Sequence, residues 1–140
     1  MNIRIFLAAD TQAVMALWQM CGLVQPHNNP GRDIERKLNQ QGELFFVGEQ
    51  DGEIIASAMF GYEGHRGWVN YLAVAPTHQK QGHAQAMMQR GESELVALGC
   101  PKLNLQVRKS NLAATKFYQA SGYVEDDAVS FGKRLIKATN

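Results

Sequence analysis

The sequence predicts an α/β (α+β) fold in which a mixed, mostly antiparallel sheet of about seven strands is flanked by about four helices. Three observations predict it. Two largely apolar stretches, residues 44–50 and 53–62, read as strands on either side of Asp51-Gly52, a two-residue hairpin signal. Other stretches repeat apolar residues at i, i+3, i+4 and i+7, as helices with one buried face do. The segments follow in the order β-α-α-β-β-β-α-β-α-β-β, which places helices on the faces of the sheet.

The N-terminal part of the chain predicts one strand and two helices. Residues 1–6 alternate as a strand does, and Asp10 suits the N-cap of a helix that stops at Gly22. Asn29-Pro30 resembles an N-cap followed by a first-turn proline and starts a second helix over residues 31–40. The inward-facing residues of the two helices are expected to be Val14, Leu17, Trp18, Cys21, Ile34 and Leu38.

The centre of the chain predicts three antiparallel strands and then a helix. Residues 44–50 and 53–62 form the hairpin, and residues 68–74 form a third strand. Pro76 ends this strand because proline lacks the N–H group that a ladder needs. From Gly82 the pattern becomes helical, with an apolar stripe of Ala84, Met87, Met88, Gly91, Leu95 and Leu98.

The last forty residues predict a fifth strand, a fourth helix and two final strands. Residues 103–107 alternate between apolar and polar side chains, and a helix over residues 111–121 is closed by Gly122. The final strands are expected at residues 123–125 and 129–136. No repeat, low-complexity tract or linker divides the chain, so we expect one domain over residues 1–140.

The composition excludes several classes of function. Of the 140 residues, 45% are hydrophobic and 19% charged, and no apolar run approaches the ~18 residues of a membrane span. The net charge of +1 provides no general attraction for nucleic acid. The four histidines and two cysteines, Cys21 and Cys100, show no metal-ligand spacing, so no metal is expected. Two reduced thiols and the absence of a secretory signal in residues 1–6 predict a cytoplasmic location.

The loop after the third central strand carries the most chemical information. It consists of Gln79, Lys80, Gln81, Gly82, His83 and Ala84. Its motif Gln79-x-x-Gly82-x-Ala84 lies at the start of a helix, where free main-chain N–H groups and the helix dipole favour a pyrophosphate. Neither a nucleoside-triphosphate P-loop nor a G-x-G-x-x-G motif is present. Alone, such a loop is more often a plain glycine-containing helix entry with a solvated polar face.

Three motifs in this order resemble the acetyl-CoA core of the GNAT (GCN5-related) acyltransferases. They are Leu72-Ala73-Val74-x-Pro76, Gln79-x-x-Gly82-x-Ala84 and Asn111-x-x-Ala114-x-x-Phe117-Tyr118-x-x-x-Gly122-Tyr123. The resemblance spans most of the chain. A narrower resemblance, to YpeA-like bacterial acetyltransferases, rests on Trp18, Asn28-x-Pro30, and the segments 33–37, 61–67 and 99–102.

The resemblance implies acetyl-CoA as cosubstrate and a place for it. In GNAT enzymes the fourth and fifth strands splay apart, and the pantetheine arm lies in the opening. Main-chain groups of Leu72, Ala73 and Val74 would pair with that arm, while the amides of residues 79–84 would hold the pyrophosphate. An N–H group near Leu72 would polarise the thioester carbonyl.

The same resemblance makes Tyr118 the candidate general acid, because family members commonly use a tyrosine here to protonate the departing thiolate. A phenol of pKa ~10 protonates a thiolate whose acid has pKa ~8.5 at modest cost. The alternative is an aromatic core residue beside Phe117. Asn111 is a contact for the cosubstrate arm, the N-cap of the last helix, or both.

The acceptor amine must lose a proton, and the sequence offers only indirect candidates for the group that takes it. Some GNAT enzymes place a carboxylate in the strand that matches residues 68–74, whereas this strand reads Trp68-Val69-Asn70-Tyr71. Glu63 in the preceding turn could act through water, and His65 in the same turn is a second candidate, since histidine is a common general base. Both are also ordinary hairpin residues.

The resemblance implies an N-acyltransferase that moves an acetyl group from acetyl-CoA to a primary amine by direct attack in a ternary complex. A non-catalytic CoA-binding sensor and a plain interaction domain are the alternatives. The acceptor stays open among small amines, amino acids, antibiotics, protein N-termini and lysine side chains. A homodimer is possible, since a strand at residues 129–136 could pair across a two-fold axis.

Overall fold

A five-stranded sheet, with its strands in the order β1-β2-β3-β4-β5, organises the computed structural model, which describes residues 1–137. The strands are β1 (Asn2–Ile5), β2 (Phe45–Gln50), β3 (Glu53–Tyr62), β4 (Gly67–Val74) and β5 (Leu103–Asn104). The helices are α1 (Thr11–Met20), α2 (Pro30–Leu38), α3 (His83–Ala97) and α4 (Leu112–Ala120). The predicted mixed sheet with flanking helices is confirmed.

The hairpin predicted at Asp51-Gly52 joins β2 to β3. Both turn residues have positive φ, 53° and 80°, as the two central residues of a type I′ turn require. Gln50 pairs with Glu53 directly across the turn, and β1 and β4 extend the antiparallel arrangement on either side.

A β-bulge interrupts β4 near its middle. Ser57 of β3 pairs with Ala73 and Met59 pairs with Asn70, so two residues of β4 oppose one residue of β3. One of the two, Tyr71, has a φ of 55°, in the left-handed region that non-glycine residues seldom occupy. An extra residue of this kind bends its strand and increases the local twist.

Buried contacts from α1 hold the bulge in place. The Ser57 hydroxyl accepts a 2.8 Å hydrogen bond from the Trp18 indole and donates a 3.0 Å hydrogen bond to the Tyr71 carbonyl. The Trp18 and Tyr71 rings stack with their centroids 3.8 Å apart. Because Ser57 and Trp18 are fully buried, these groups have no water to replace their partners.

The fifth strand runs parallel to β4 and separates from it almost at once. The two strands pair only at Gly67 with Leu103 and at Trp68 with Asn104. The predicted opening between the fourth and fifth strands is therefore confirmed. The prediction that β5 extends to residue 107 is wrong, because β4 bends away and offers no ladder beyond Trp68.

Helices cover both faces of the sheet. On one face, α1 and α2 bury Val14, Leu17, Trp18 and Ile34 against Phe45 and Val47. On the other face, α3 buries Met87, Met88 and Leu95 against Phe46, Phe60 and Val69, and α4 adds Phe117 and Tyr118 at its margin. These are the apolar stripes that helical periodicity predicted for α1 and α3.

Helix α3 approaches the sheet closely at Gly91. A Cβ atom built on Gly91 would lie 2.0 Å from Cζ of Phe60, a distance that real side chains do not reach. The Phe60 ring fills the space that any larger residue at this position of α3 would need.

Three details of the predicted helices are wrong. Leu38 ends α2 and is 43% exposed, and Leu98 follows the last residue of α3 and is 52% exposed, because both lie where the helix leaves the sheet. Asp10 precedes α1 without capping it. Its carboxylate instead accepts a 2.8 Å hydrogen bond from the Leu7 N–H and pairs with Arg4 at 2.8 Å.

The described part of the chain contains five strands rather than seven. Residues 123–125 and 129–136 form no strand, and Val129 and Phe131 are 80% and 92% exposed. Alternation produces a strand only where a neighbouring edge supplies hydrogen bonds, and the two-residue β5 supplies almost none. Residues 129–136, through which a homodimer was expected to pair, form no strand in the single chain. Within residues 1–137, no helix combines the length and apolarity that a membrane span needs.

Candidate active site

The loop at the start of α3 has the geometry of an anion-binding turn. Lys80 and Gly82 both have left-handed backbone, with φ of 62° and 83°. Gly82 occupies the N-cap position of the 15-residue α3, and a Cβ atom built on it would meet no protein atom within 4 Å. Free N–H groups at the helix start therefore adjoin open space, as a pyrophosphate site requires.

Gln79 ties this loop to the end of β4. Its side-chain amide donates a 3.0 Å hydrogen bond to the Val74 carbonyl, which also accepts a contact of 3.3 Å from the Cys21 thiol. The amide of Gln79 therefore positions the loop. Since the Val74 carbonyl already has partners, an incoming ligand would pair with the other main-chain groups of residues 72–74.

The His83 imidazole adjoins the same loop and is incompletely satisfied. Its Nε2 atom is buried and has no hydrogen-bond partner among the described residues. Native proteins rarely leave a buried polar atom unpaired, and a ligand oxygen would satisfy this one. The neighbouring His78 ring contacts the Thr77 hydroxyl at 2.9 Å.

Three predicted site residues from different parts of the chain converge on the α3 side of the sheet. Leu72, Ala84 and Tyr118 all pack against the apolar cluster between α3 and the sheet. Ala73 lies inside the sheet and is 4% exposed, so only its main chain is available to a ligand.

Tyr118 lines a cleft that we call the Tyr118 cleft, formed by β5, α4 and the chain after α4. Burial raises the pKa of Tyr118 to about 12. No atom of residues 1–137 forms a hydrogen bond with the Tyr118 hydroxyl. The Tyr118 ring makes edge-to-face contacts with Phe117 and Tyr123, at centroid distances of 5.0 and 5.7 Å. The phenol is thus protonated, held by its ring and free to donate.

Asn111 serves as the N-cap of α4. Its side-chain carbonyl accepts a 3.1 Å hydrogen bond from the Ala114 N–H. The side-chain NH₂ group is the part of Asn111 that remains for a ligand.

Glu63 stabilises the turn between β3 and β4. Its carboxylate accepts hydrogen bonds of 2.5 Å from the His65 N–H and 2.6 Å from the Arg66 N–H. These two hydrogen bonds lower the pKa of Glu63, and the bond from Arg66 has the larger effect. A lowered pKa makes a carboxylate a weaker base. Neither Glu63 nor His65 lines the Tyr118 cleft.

A second cleft, of about 640 Å³, lies between the α1–α2 connection, α2 and the bulge of β4. Its one carboxylate belongs to Asp33, a residue that sequence reasoning missed. We call this cleft the Asp33 cleft. The Tyr71 hydroxyl donates a 2.6 Å hydrogen bond to Asp33, and Arg36 pairs with the same carboxylate at 3.5 Å. Periodicity marked Asp33 only as the polar side of a helix, because its partner lies 38 residues away.

The two clefts are continuous. Asn28, Asn70 and Arg108 line both. A ligand in the Asp33 cleft would therefore reach the opening between β4 and β5, on the side where Tyr118 lies. No group of three His, Cys, Asp or Glu side chains in residues 1–137 is arranged to hold a metal ion.

The comparisons with known proteins agree with this architecture. The sequence profile of the acetyltransferase (GNAT) family matches residues 10–123. This protein belongs to the GNAT acetyltransferase family. An acetyltransferase of Yersinia pestis (strain Pestoides F) is 48% identical over 136 residues, which cover 97% of this chain and 96% of that protein. The resemblance found in the sequence is thereby confirmed, and the protein is an N-acetyltransferase.

Solved structures of GNAT enzymes share the fold. The ribosomal-protein-S18-alanine N-acetyltransferase from Escherichia coli superposes with a TM-score of 0.74 at 26% identity, over 89% of this chain and 78% of that chain. AAC(6')-Iy, in complex with the bisubstrate analogue CoA-S-monomethyl-acetylneamine, superposes with a TM-score of 0.77 at 19% identity, over 96% and 98%. The likeness to AAC(6')-Iy concerns the fold alone.

Proposed function

We propose that this GNAT protein transfers the acetyl group of acetyl-CoA to a primary amine by direct attack, with both substrates bound. The observation that carries the proposal is the bulge at Tyr71. It opens the edge of β4 between the anion-binding loop at its C-terminal end and the two continuous clefts.

The chain's own groups suit an elongated thioester with a diphosphate. The main-chain N–H groups at the start of α3 would hold the pyrophosphate, with His83 Nε2 and the Lys80 ammonium beside them. Main-chain groups of residues 72–74 would hold the arm. An N–H group near Leu72 would donate to the thioester carbonyl oxygen, where negative charge develops during attack.

The reaction forms a C–N bond and breaks a C–S bond, so the amine must lose a proton and the sulfur must gain one. An unperturbed lysine-type amine has a pKa of ~10.4, and only about one molecule in 2500 is neutral at pH 7. A group that attracts the ammonium form and accepts its proton, directly or through water, raises the rate.

Tyr118 is the proposed proton donor to sulfur. Its raised pKa, about 12, keeps it protonated, but donation to a free thiolate of pKa ~8.5 would cost roughly 5 kcal/mol. Donation therefore fits a step in which the proton moves as the C–S bond breaks, while the same burial raises the basicity of the thiolate.

Asp33 is the proposed site for the acceptor amine. Its carboxylate faces a cleft that meets the opening of β4 at Asn70, whereas the Glu63 carboxylate is committed to two main-chain N–H groups. We keep Glu63 as a turn residue in this scheme. The two free cysteines fit the cytoplasm as the place of action.

Two measurements test the proposal. Calorimetry should detect acetyl-CoA binding and give no comparable signal with ATP or NAD. Turnover, followed as free CoA release and acetylated product mass with a panel of primary amines, should then exceed the rate of thioester hydrolysis. Tight acetyl-CoA binding without turnover of any amine would favour the CoA-binding sensor, and absence of acetyl-CoA binding would refute the proposal.

A further inference from the structure

Charge is unevenly distributed in the Asp33 cleft. Its lining contains one carboxylate, Asp33, and three cationic side chains, Arg36, Lys37 and Arg108. The whole chain has a net charge of only +1, so this excess is local.

The single carboxylate has two neighbours in the cleft. Asp33 accepts the 2.6 Å hydrogen bond from Tyr71 and pairs with Arg36 at 3.5 Å. Arg36 therefore balances Asp33 in the charge count, and Lys37 and Arg108 give the cleft an excess of positive charge.

Lys37 and Arg108 form no salt bridge with the described residues. The Lys37 ammonium donates to the main-chain carbonyl of Phe60 and forms no salt bridge within residues 1–137. Burial lowers the pKa of Lys37, and the attraction of Glu43 does not offset it. Arg108 is exposed and forms neither a salt bridge nor a side-chain hydrogen bond with the described residues.

The position of Arg108 indicates which kind of ligand the excess positive charge would bind. Arg108 lines both clefts, at the junction where the acceptor amine would meet the thioester. A guanidinium presents a planar fork of N–H donors that matches a carboxylate, and two cations that form no salt bridge attract an anion while they repel a polycation.

We propose that the acceptor is a small acidic amine, with a carboxylate bound by Arg108 and Lys37 while its amino group faces Asp33 and Asn70. This inference rests on the proposed acetyl transfer and deepens it by naming the substrate class. Polycationic amines, such as the neamine portion of the analogue bound to AAC(6')-Iy, would be poor acceptors.

Pairs of acceptors that differ only in one anionic group test the proposal. The full-length protein with acetyl-CoA is assayed for acetylated product with L-glutamate against L-glutamine, L-aspartate against L-asparagine, and Glu-Ala against Gln-Ala dipeptides, with neamine as the polycation. In at least one pair the acidic member should have a kcat/KM at least ~10-fold higher, and this advantage should shrink as salt rises from ~50 to ~500 mM.

Substitutions test which side chain recognises the anionic group of the acceptor. Arg108→Gln should reduce the acid-over-amide ratio ~10-fold while the Kd of acetyl-CoA stays unchanged, and Arg108→Glu should reverse the preference. Lys116→Gln removes an equal charge from an exposed position outside both clefts and should leave the ratio unchanged. Calorimetry of the same pairs on the CoA-bound protein provides a readout independent of turnover.

Each outcome has a defined meaning. Equal use and equal binding of acidic and amide members, or a preference for neamine, would overturn the acidic-acceptor proposal while acetyl transfer stands. If no amine is acetylated, the acetyl transfer fails, and the calorimetric preference alone decides whether the Asp33 cleft selects acids.

Discussion

The hydroxyl of Tyr71 donates a 2.6 Å hydrogen bond to the Asp33 carboxylate and so joins the bulge of β4 to α2. The bulge that opens the sheet and the carboxylate that we propose to bind the acceptor are thus one connected unit. Hydrogen bonding to the carboxylate, with burial as the larger cause, raises the pKa of Tyr71, so Tyr71 stays a donor at neutral pH.

Asp33→Asn tests the role of that carboxylate. Asparagine still accepts from Tyr71 but lacks the charge that attracts an ammonium group, so we expect kcat/KM for the acceptor to fall ~10- to 100-fold. The Kd of acetyl-CoA, measured by calorimetry, should not change. Glu35→Gln removes a carboxylate from the exposed side of the same helix and should have no effect. Unchanged acceptor kinetics in Asp33→Asn would make Asp33 purely an anchor for the bulge.

Tyr118→Phe tests proton donation to sulfur. We expect kcat to fall by ~10² to 10⁴ with little change in the Kd of acetyl-CoA, because the hydroxyl donates a proton and adds little contact area. Stability should barely change, since the hydroxyl has no hydrogen bond within the described chain. Tyr62→Phe, in the turn region outside both clefts, is the matched control. Full activity of Tyr118→Phe would assign this tyrosine to the core.

The pH profile gives a second measure of Tyr118. An acid must be protonated to act, and its activity is lost as the pH rises through its pKa, which is about 12 here. We therefore expect no alkaline fall in kcat attributable to this group below about pH 11. An alkaline limb near pH 10 that disappears in Tyr118→Phe would contradict the raised pKa.

Gly82→Glu tests the anion-binding loop. A carboxylate in the open space beside Gly82 would repel the pyrophosphate, and the Kd of acetyl-CoA should rise at least ~100-fold. Gly99→Glu is a close control, because Gly99 has a φ of +84° against +83° for Gly82 and equally open surroundings, at the opposite end of α3. Calorimetry measures the Kd of acetyl-CoA for both folded variants. Equal affinities would exclude the loop as the pyrophosphate site.

Gly91→Ala tests the close contact between α3 and the sheet. Alanine is the better helix former by about 1 kcal/mol, but its methyl group would overlap the Phe60 ring, so we expect a net loss of about 1–3 kcal/mol in the free energy of unfolding. Urea denaturation measures this. In a Phe60→Leu background the same substitution should cost less than half as much. An equal cost in both backgrounds would show that the two residues are not coupled.

Glu63→Gln separates a turn residue from a base. We expect kcat/KM and its acidic limb to be unchanged. The lowered pKa of Glu63 means that its charge stabilises the fold above the unfolded-state pKa of ~4.3, a contribution lost as the pH falls through the folded-state pKa. The variant should therefore be slightly less stable than wild type at pH 7, and the difference should shrink as the pH falls through the folded-state pKa of Glu63. A shifted acidic limb would restore Glu63 as a base.

Sequence reasoning succeeded where the deciding physics is local. The Asp51-Gly52 turn, the Asn29 cap of α2 and the apolar stripes of α1 and α3 depend on residues within one or two turns of each other. It overestimated the C-terminal part, where the alternation of residues 129–136 has no strand edge to pair with.

The residues of the candidate site also differ in whether the sequence could reveal them. The loop 79–84 and Tyr118 could be found from motif spacing, because a helix start and a helix face are short-range features. Asp33 could not, since nothing near it in sequence distinguishes it from other polar helix residues. Its partner Tyr71 is 38 residues away in sequence and meets it only in the folded structure.

The sequence by itself determined the order and type of most elements and the family of enzyme, because hydrophobic period, turn chemistry and motif spacing act over a few residues. Only the tertiary structure decided where β4 bends, which carboxylate faces the cleft beside the bulge and how far β5 extends. The bend rests on Trp18 and Ser57, which lie 39 residues apart, and on the crowded packing that brings them together. Such contacts exist only once distant segments share one core.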